Sequence, residues 1–322
     1  MRALTNYLNQ TRVVIAATLL LCGTVYAAEN EHAPWYPSKY GADDTLGAIN
    51  NLSEAKTRAA ASLIKTGRSY SLGVVTGVDT PAYPPRQFSM TILQLDDGTG
   101  SPLGTNAATA NDDLMHLWMG IGSQIDGLGH MGIDHVYYNG NKAKDFVATT
   151  GLTKLAIHEL PPIVTRGVLL DMTAQFKHAV LPGGTVFNSQ EIKAAAKAQG
   201  VSIEKGDVVL FHTGWLTKST TNPAEFMASE PGLGVEGAQY LASLDVVAVG
   251  ADTWALEVLP GENPTELFPV HPELLAKNGI YILENMNTAE LARDEVWEFM
   301  FVLGQPKFEG AVQAVINPIA IH

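Results

Sequence analysis

The 322-residue chain contains one cysteine, Cys22, inside an N-terminal apolar run. Everything after that run lacks a thiol, so disulfides, cysteine nucleophiles and cysteine-ligated zinc are excluded there. Basic residues are also scarce: 20 Lys and Arg against 33 Asp and Glu give a net charge of −13 and a pI near 5.1. Such a surface repels nucleic acid and anionic lipid, and neither is an expected partner. Charged residues make up 16% of the chain and apolar ones 46%, the balance of a well-packed globular fold. No Gly-x-Ser-x-Gly elbow occurs, which argues against a serine esterase of the common α/β type. Two glycine patterns, at Gly127, Gly129 and Gly132 and at Gly232, Gly234 and Gly237, match the dinucleotide fingerprint formally. Neither follows an apolar strand, so a nucleotide cofactor is not expected.

Residues 1–27 have the form of a secretory signal peptide. Arg2 and Arg12 supply the positive region, residues 13–25 the apolar core, and Val25-Tyr26-Ala27 the small residues before a polar start at Ala28. The core is short for a membrane span. Leu21 before Cys22 departs from the small residue that lipid attachment prefers. A periplasmic or secreted protein is expected, with a single domain over residues 28–322 and no membrane association after cleavage. Losing two arginines makes the mature chain still more acidic.

Beyond the leader, β-like and helical runs mix without strict alternation, as in an α/β or α+β domain. Residues 167–172, 207–212, 245–250 and 281–283 read as buried strands, and 297–303 and 314–321 as two more. Asn188 or Ser189 caps a helix that ends near Gly200, residues around Gln239 look helical, and Pro272 opens a helix that Gly279 closes.

The richest segment is Gly122-Ser123-Gln124-Ile125-Asp126-Gly127-Leu128-Gly129-His130, too glycine-rich for a helix. It can aim Asp126 and His130 at one point, or it can be an ordinary surface loop. With thiols absent, a metal centre has to use imidazole and carboxylate. Asp126 is one candidate ligand. His271 is a second: at a helix N-terminus the dipole disfavours imidazolium, though a helix-capping role serves equally. Glu284 ends an apolar strand, where a carboxylate needs a cation, a proton or an ion-pair partner.

Several separated segments resemble the cyclase family of metal-dependent hydrolases, which includes bacterial kynurenine formamidase and isatin hydrolase. They are Gly41-Ala42-Asp43-Asp44-Thr45-Leu46-Gly47-Ala48-Ile49-Asn50, Arg166 through Asp171, Gly206 through Leu210 with Thr213-Gly214-Trp215, Gly250-Ala251-Asp252-Thr253, His271-Pro272, Leu283-Glu284-Asn285, and Glu309-Gly310-Ala311 with Pro318-Ile319-Ala320. The family signature His-x-Gly-Thr-His-x-Asp-x-Pro-x-His falls on Gly120 to His130. Gly122, Asp126 and His130 match; Gly120, Ser123, Gln124 and Leu128 depart. The resemblance implies a β-barrel-like mixed sheet flanked by helices, a swivelling β/β/α fold, and usually a homo-oligomer. It implies Asp126, His271 and Glu284 as ligands of a divalent ion, zinc or manganese, with Gln124 as an amide-oxygen ligand or a support for bound water. His130 falls on the catalytic histidine.

The expected activity is hydrolysis of a small amide, cyclic amide or lactone by activated water, with His130 as general acid and base. A catalytically silent exported binding protein on the same scaffold is the alternative, because two imidazoles of the signature are missing. Trp118 and Trp35 are the foremost candidates for a substrate wall, with Tyr36 and Trp254; core packing is the plainer role for each. Mass spectrometry of the exported protein is expected to show a chain starting at Ala28; retention of Met1 overturns the leader.

Overall fold

The computed structural model describes residues 35–94 and 100–322; the leader assigned to residues 1–27 lies outside them. The strands used below are, in chain order, β1 (Ser69–Ser71), β2 (Phe88–Gln94), β3 (Asn111–Leu117), β4 (Gln124–Asp126), β5 (Ile163–Asp171), β6 (Val208–His212), β7 (Ala248–Ala251), β8 (Tyr281–Glu284), β9 (Glu298–Leu303), β10 (Gln313–Val315) and β11 (Ile319–Ile321). The helices are α1 (Glu54–Ala61), α2 (Ser189–Gln199), α3 (Val235–Ser243) and α4 (Val270–Pro272).

Nine of these strands form one sheet in the order β1-β11-β9-β5-β6-β7-β8-β4-β10. Neighbours from β5 to β8 run parallel. Parallel strands covered on both faces read as unbroken apolar runs. Accordingly Val168, Leu169, Leu170, Val208, Val209, Leu210 and Phe211 are all fully buried. Helix α1 lies against β5 and β9, and α2 against β5 and α3. Glu191 accepts the backbone N–H of Asn188 at 2.9 Å, and Gly200 closes α2 in the left-handed region.

The run at 314–321 is two strands rather than one, because Asn317 and Pro318 interrupt the ladder. Their placement bends the whole sheet. β10 forms one edge while β11 lies next to β1 at the other. The link between them, residues 316–318, spans at most roughly 14 Å, so the sheet curls until its edges approach. Asn317 sits in the gap: its Oδ1 accepts the Gly73 N–H at 3.0 Å and lies 2.7 Å from Ser71 Oγ. The result is an open half-barrel flanked by helices.

Two further expectations are corrected. The helix expected to start at Pro272 starts at Val270 and continues as a π turn over Glu273–Lys277. The glycine-rich run is no surface loop: Gln124–Asp126 is a fully buried strand within the sheet. By contrast, β2 and β3 form a separate hairpin whose residues are exposed almost throughout.

Arg166 fixes the outer end of β5. Its Nε and Nη2 donate to Asp207 at 3.1 and 2.6 Å, and Asp207 is fully buried. Arg166→Met is expected to cost about 3–5 kcal/mol in urea unfolding, because it strands a buried carboxylate. The double variant Arg166→Met/Asp207→Leu is expected to recover most of that loss.

Candidate metal centre

Register explains why the site residues share one face. β4 is inserted antiparallel between β8 and β10, with Gln124 opposite Glu284 and Asp126 opposite Gln313. Side chains alternate along a strand, so Gln124, Asp126, Glu284 and Gln313 project together while Ile125 enters the core on the other side. Past Asp126 the chain turns back, with His130 N–H donating to the Gly127 carbonyl at 2.9 Å. A side chain at 127 would run into the Val312 carbonyl and Ile157, so only glycine allows that turn to lie so close to β10. The turn returns His130 Nε2 to 3.9 Å from Asp126 Oδ2.

His271 arrives from α4. Its Nε2 lies 3.3 Å from Glu284 Oε1 and 3.6 Å from Asp126 Oδ2. Its Nδ1 lies 2.5 Å from Glu257 Oε1, and Glu257 also accepts the backbone N–H groups of Val270 and His271 at 3.2 Å each. Glu257 therefore fixes the ring by holding the Nδ1 proton, so that Nε2 faces Asp126 and Glu284. Glu230, also buried, holds the same segment by accepting the N–H groups of Trp254 and Ala255 at 2.7 and 3.0 Å.

Gln124 brackets the carboxylates. Its Nε2 donates to Glu284 Oε2 at 2.6 Å and reaches Asp126 Oδ1 at 3.3 Å, while Gln313 donates to the same Asp126 oxygen at 2.6 Å. Two buried atoms at the centre have no hydrogen-bond partner among the described residues: Asp126 Oδ2 and Gln124 Oε1.

Proton affinities report the same imbalance. Burial pushes Glu284 up, the Asp126 charge adds to it, and the carboxyl settles at about 7 despite His271. Burial also works against the Asp126 anion, yet His130 and His271 outweigh it and hold that carboxyl at about 2. For His271, burial disfavours the cation, but Asp126, Glu257 and Glu284 raise it well above the ordinary imidazole range. His130 moves the other way, lowered by burial and by His271 and Arg86 against the pull of Asp126. An imidazole nitrogen, two converging carboxylates and the unpartnered Gln124 amide oxygen fit a divalent ion, which would take the place of the proton at His271 Nε2. Asp126, His130 and His271 also bring one ligand atom each within 4.8 Å of one another, so His130 stands near enough to be a ligand itself.

The departure at Gly120 has a structural counterpart. Arg86 donates Nη1–H to the Gly120 carbonyl at 2.8 Å, and a Cβ at 120 would collide with the guanidinium. A fixed positive charge thus stands where a side chain at 120 would begin. The sequence does not single out Arg86, Glu257, Glu230 or Gln313; a buried acid in the apolar stretch around 257 was the one available signal.

Aromatic residues gather beside His271. Phe268 meets its ring edge-on at 5.7 Å, Trp254 meets Phe268 at 6.2 Å, and Tyr83 stacks on Trp254 at 5.9 Å. Trp118 instead lies half-exposed at the base of the β2–β3 hairpin, beside a groove with Phe88 and Met115. Trp35 packs edge-on to Tyr36 at 4.9 Å.

Residues 61–258, more than half of the chain, match the family model Cyclase, described as "Putative cyclase". Among solved structures the chain is similar to a crystal structure described as a novel cyclase, with 28% identity and a TM-score of 0.80 over 88% of this chain and 98% of that one. It shares the fold of isatin hydrolase A from Ralstonia solanacearum, with 18% identity and a TM-score of 0.61 over 84% and 98% of the two chains. A structure described as a potential metal-dependent hydrolase with cyclase activity aligns with 17% identity and a TM-score of 0.50 over 79% and 98%. No curated protein matches the chain.

Elemental analysis of protein purified without chelator is expected to give about one divalent metal ion per chain. Glu257→Gln is expected to weaken that ion about 10–100-fold in competition with a chromogenic chelator, because it removes the charge behind His271. Unchanged affinity would sink the orienting role.

Proposed function

The chain belongs to the Cyclase family, and from that premise we propose that it is a metal-dependent hydrolase of a small amide, cyclic amide or lactone. The observation that carries this reading is the convergence of His271 Nε2, Glu284 and Asp126 beside two unpartnered oxygens, with His130 alongside. Asp126, His271 and Glu284 would hold the ion, with Gln124 Oε1 as a further oxygen donor. Zinc or manganese bound there supplies Lewis acidity for a carbonyl and lowers the pKa of water towards ~7.

The chain's own residues supply the rest. His130 is held largely neutral by its surroundings, which suits it to take a proton from water and return it to the leaving nitrogen or oxygen. The Asp126 carboxylate, 3.9 Å from Nε2, steadies that ring's cation once formed. Arg86, anchored on the Gly120 carbonyl, offers fixed positive charge to the oxyanion that develops as the carbonyl is attacked. Trp254, Tyr83 and Phe268 form an apolar wall that limits water to the attacking molecule. A secretory leader over residues 1–27 would put this chemistry outside the cytoplasm, and the family resemblance supports a homo-oligomer.

One observation favours a second assignment for His130: its nitrogen lies within ligand distance of the Asp126–His271 pair. The two separate cleanly. His130→Ala at saturating metal is expected to lower kcat about 10²–10⁴-fold with the metal-to-chain ratio unchanged. Loss of the ion would make His130 a ligand, and full activity would refute any role. Retained metal without turnover of any amide or lactone tried would leave an exported binding protein.

A further inference from the structure

A second constellation lies at the carboxyl ends of the parallel strands, with none of the metal-centre residues in its lining. His212 ends β6, and Asp252 follows β7. Both line a cavity of about 940 Å³, large enough for a small organic ligand. Open parallel sheets hold ligands beyond the carboxyl ends of their strands. The floor of the cavity is firmly built. Asp252 Oδ1 accepts the Thr213 N–H at 2.8 Å and its hydroxyl at 2.6 Å, and Oδ2 accepts the Gly214 N–H at 2.8 Å. His212 Nδ1 lies 2.8 Å from Thr288 Oγ1 and 3.4 Å from Asp252 Oδ2.

Every polar atom of this group has thus found a partner except His212 Nε2, which makes no hydrogen bond among the described residues. The acceptors of Asp252 are taken by three donors, so the floor has nothing left to offer a cation. Asp171, the other carboxylate acting on His212, is likewise engaged: it caps the short helix after β5 by accepting from Thr173 and Ala174. Asp79 lies at the exposed rim. Burial disfavours a charged His212, but Asp252 and Asp171 raise its pKa above the ordinary value. With Nδ1 within hydrogen-bond distance of the Thr288 hydroxyl, the imidazole is free to present an N–H at Nε2 to the cavity, a position that suits an acceptor oxygen. The walls are apolar, built from Val74, Val78, Val180, Leu216 and Phe226. Val75 and Val78 stand 98% and 75% exposed on the loop that forms one wall.

We infer that this cavity is a binding site for a small monocarboxylate with an apolar body, its carboxylate received by His212 Nε2 and its body lying along the valine-rich loop. The site is distinct from the metal centre. Gly122 and Asn285 line it, whereas their near neighbours Gln124 and Glu284 project to the ion-binding face.

Phenylacetate is a suitable probe and phenylacetamide its uncharged counterpart, with isothermal titration calorimetry on the mature protein as the readout. Saturable binding of about one phenylacetate per chain is expected, with the amide much weaker. His212→Gln is expected to weaken phenylacetate about tenfold. Val78→Glu, an exposed change that spares the buried floor, is expected to weaken it as well by placing negative charge at the mouth. Binding should survive Asp126→Asn, which separates this site from the metal centre. No saturable binding, equal affinity for acid and amide, insensitivity to both cavity variants, or loss of binding in Asp126→Asn would each overturn the assignment.

Discussion

Three carboxylates, those of Asp126, Glu257 and Glu284, are buried around the single imidazole of His271. Such charge density is costly in a low-dielectric interior, and much of the surrounding structure answers it. Gln124 and Gln313 spend their amide N–H groups on these oxygens, Arg86 is brought against Gly120 nearby, and Glu284 is driven towards protonation. A divalent ion bound there would relieve the remainder. The same account explains why Gln suits position 124, because one amide group can donate to two carboxylates and still keep an oxygen free. An imidazole cannot do all three.

The arrangement also divides labour between a rigid sheet and a more adjustable edge. Asp126 and Glu284 stand on hydrogen-bonded strands, which fixes their separation by register. His271 comes from a short helix that runs on into a π turn, a geometry often found at functional sites. Glu257 ties that helix down through side chain and backbone together.

Much of this was legible in the sequence where one local signal was enough. β5 and β6 announce themselves by unbroken apolar runs, α2 by Asn188 and Gly200, and Glu284 by ending such a run. β4 was harder, since three residues within a glycine-rich run carry no periodicity, and only pairing with two distant strands makes them a strand. The break at Pro318 went unread because the residues on both sides remain apolar and β-branched. Glu257 and Arg86 act on residues 14 and 34 positions away, with no spacing rule to connect them. Trp118 and Trp35 were singled out for their size, but the aromatic ring nearest His271 belongs to Phe268.

The position of β4 also bears on when the centre can come into being. Gln124 meets Glu284 across 160 positions of sequence, and Asp126 meets Gln313 across 187. Contacts of that range close late, after the local elements have formed. A growing chain cannot assemble this site until Glu284 and Gln313 have both emerged to pair with β4. An ion bound there would therefore enter only after β4, β8 and β10 have paired, and its identity would be decided by the ions present at that stage.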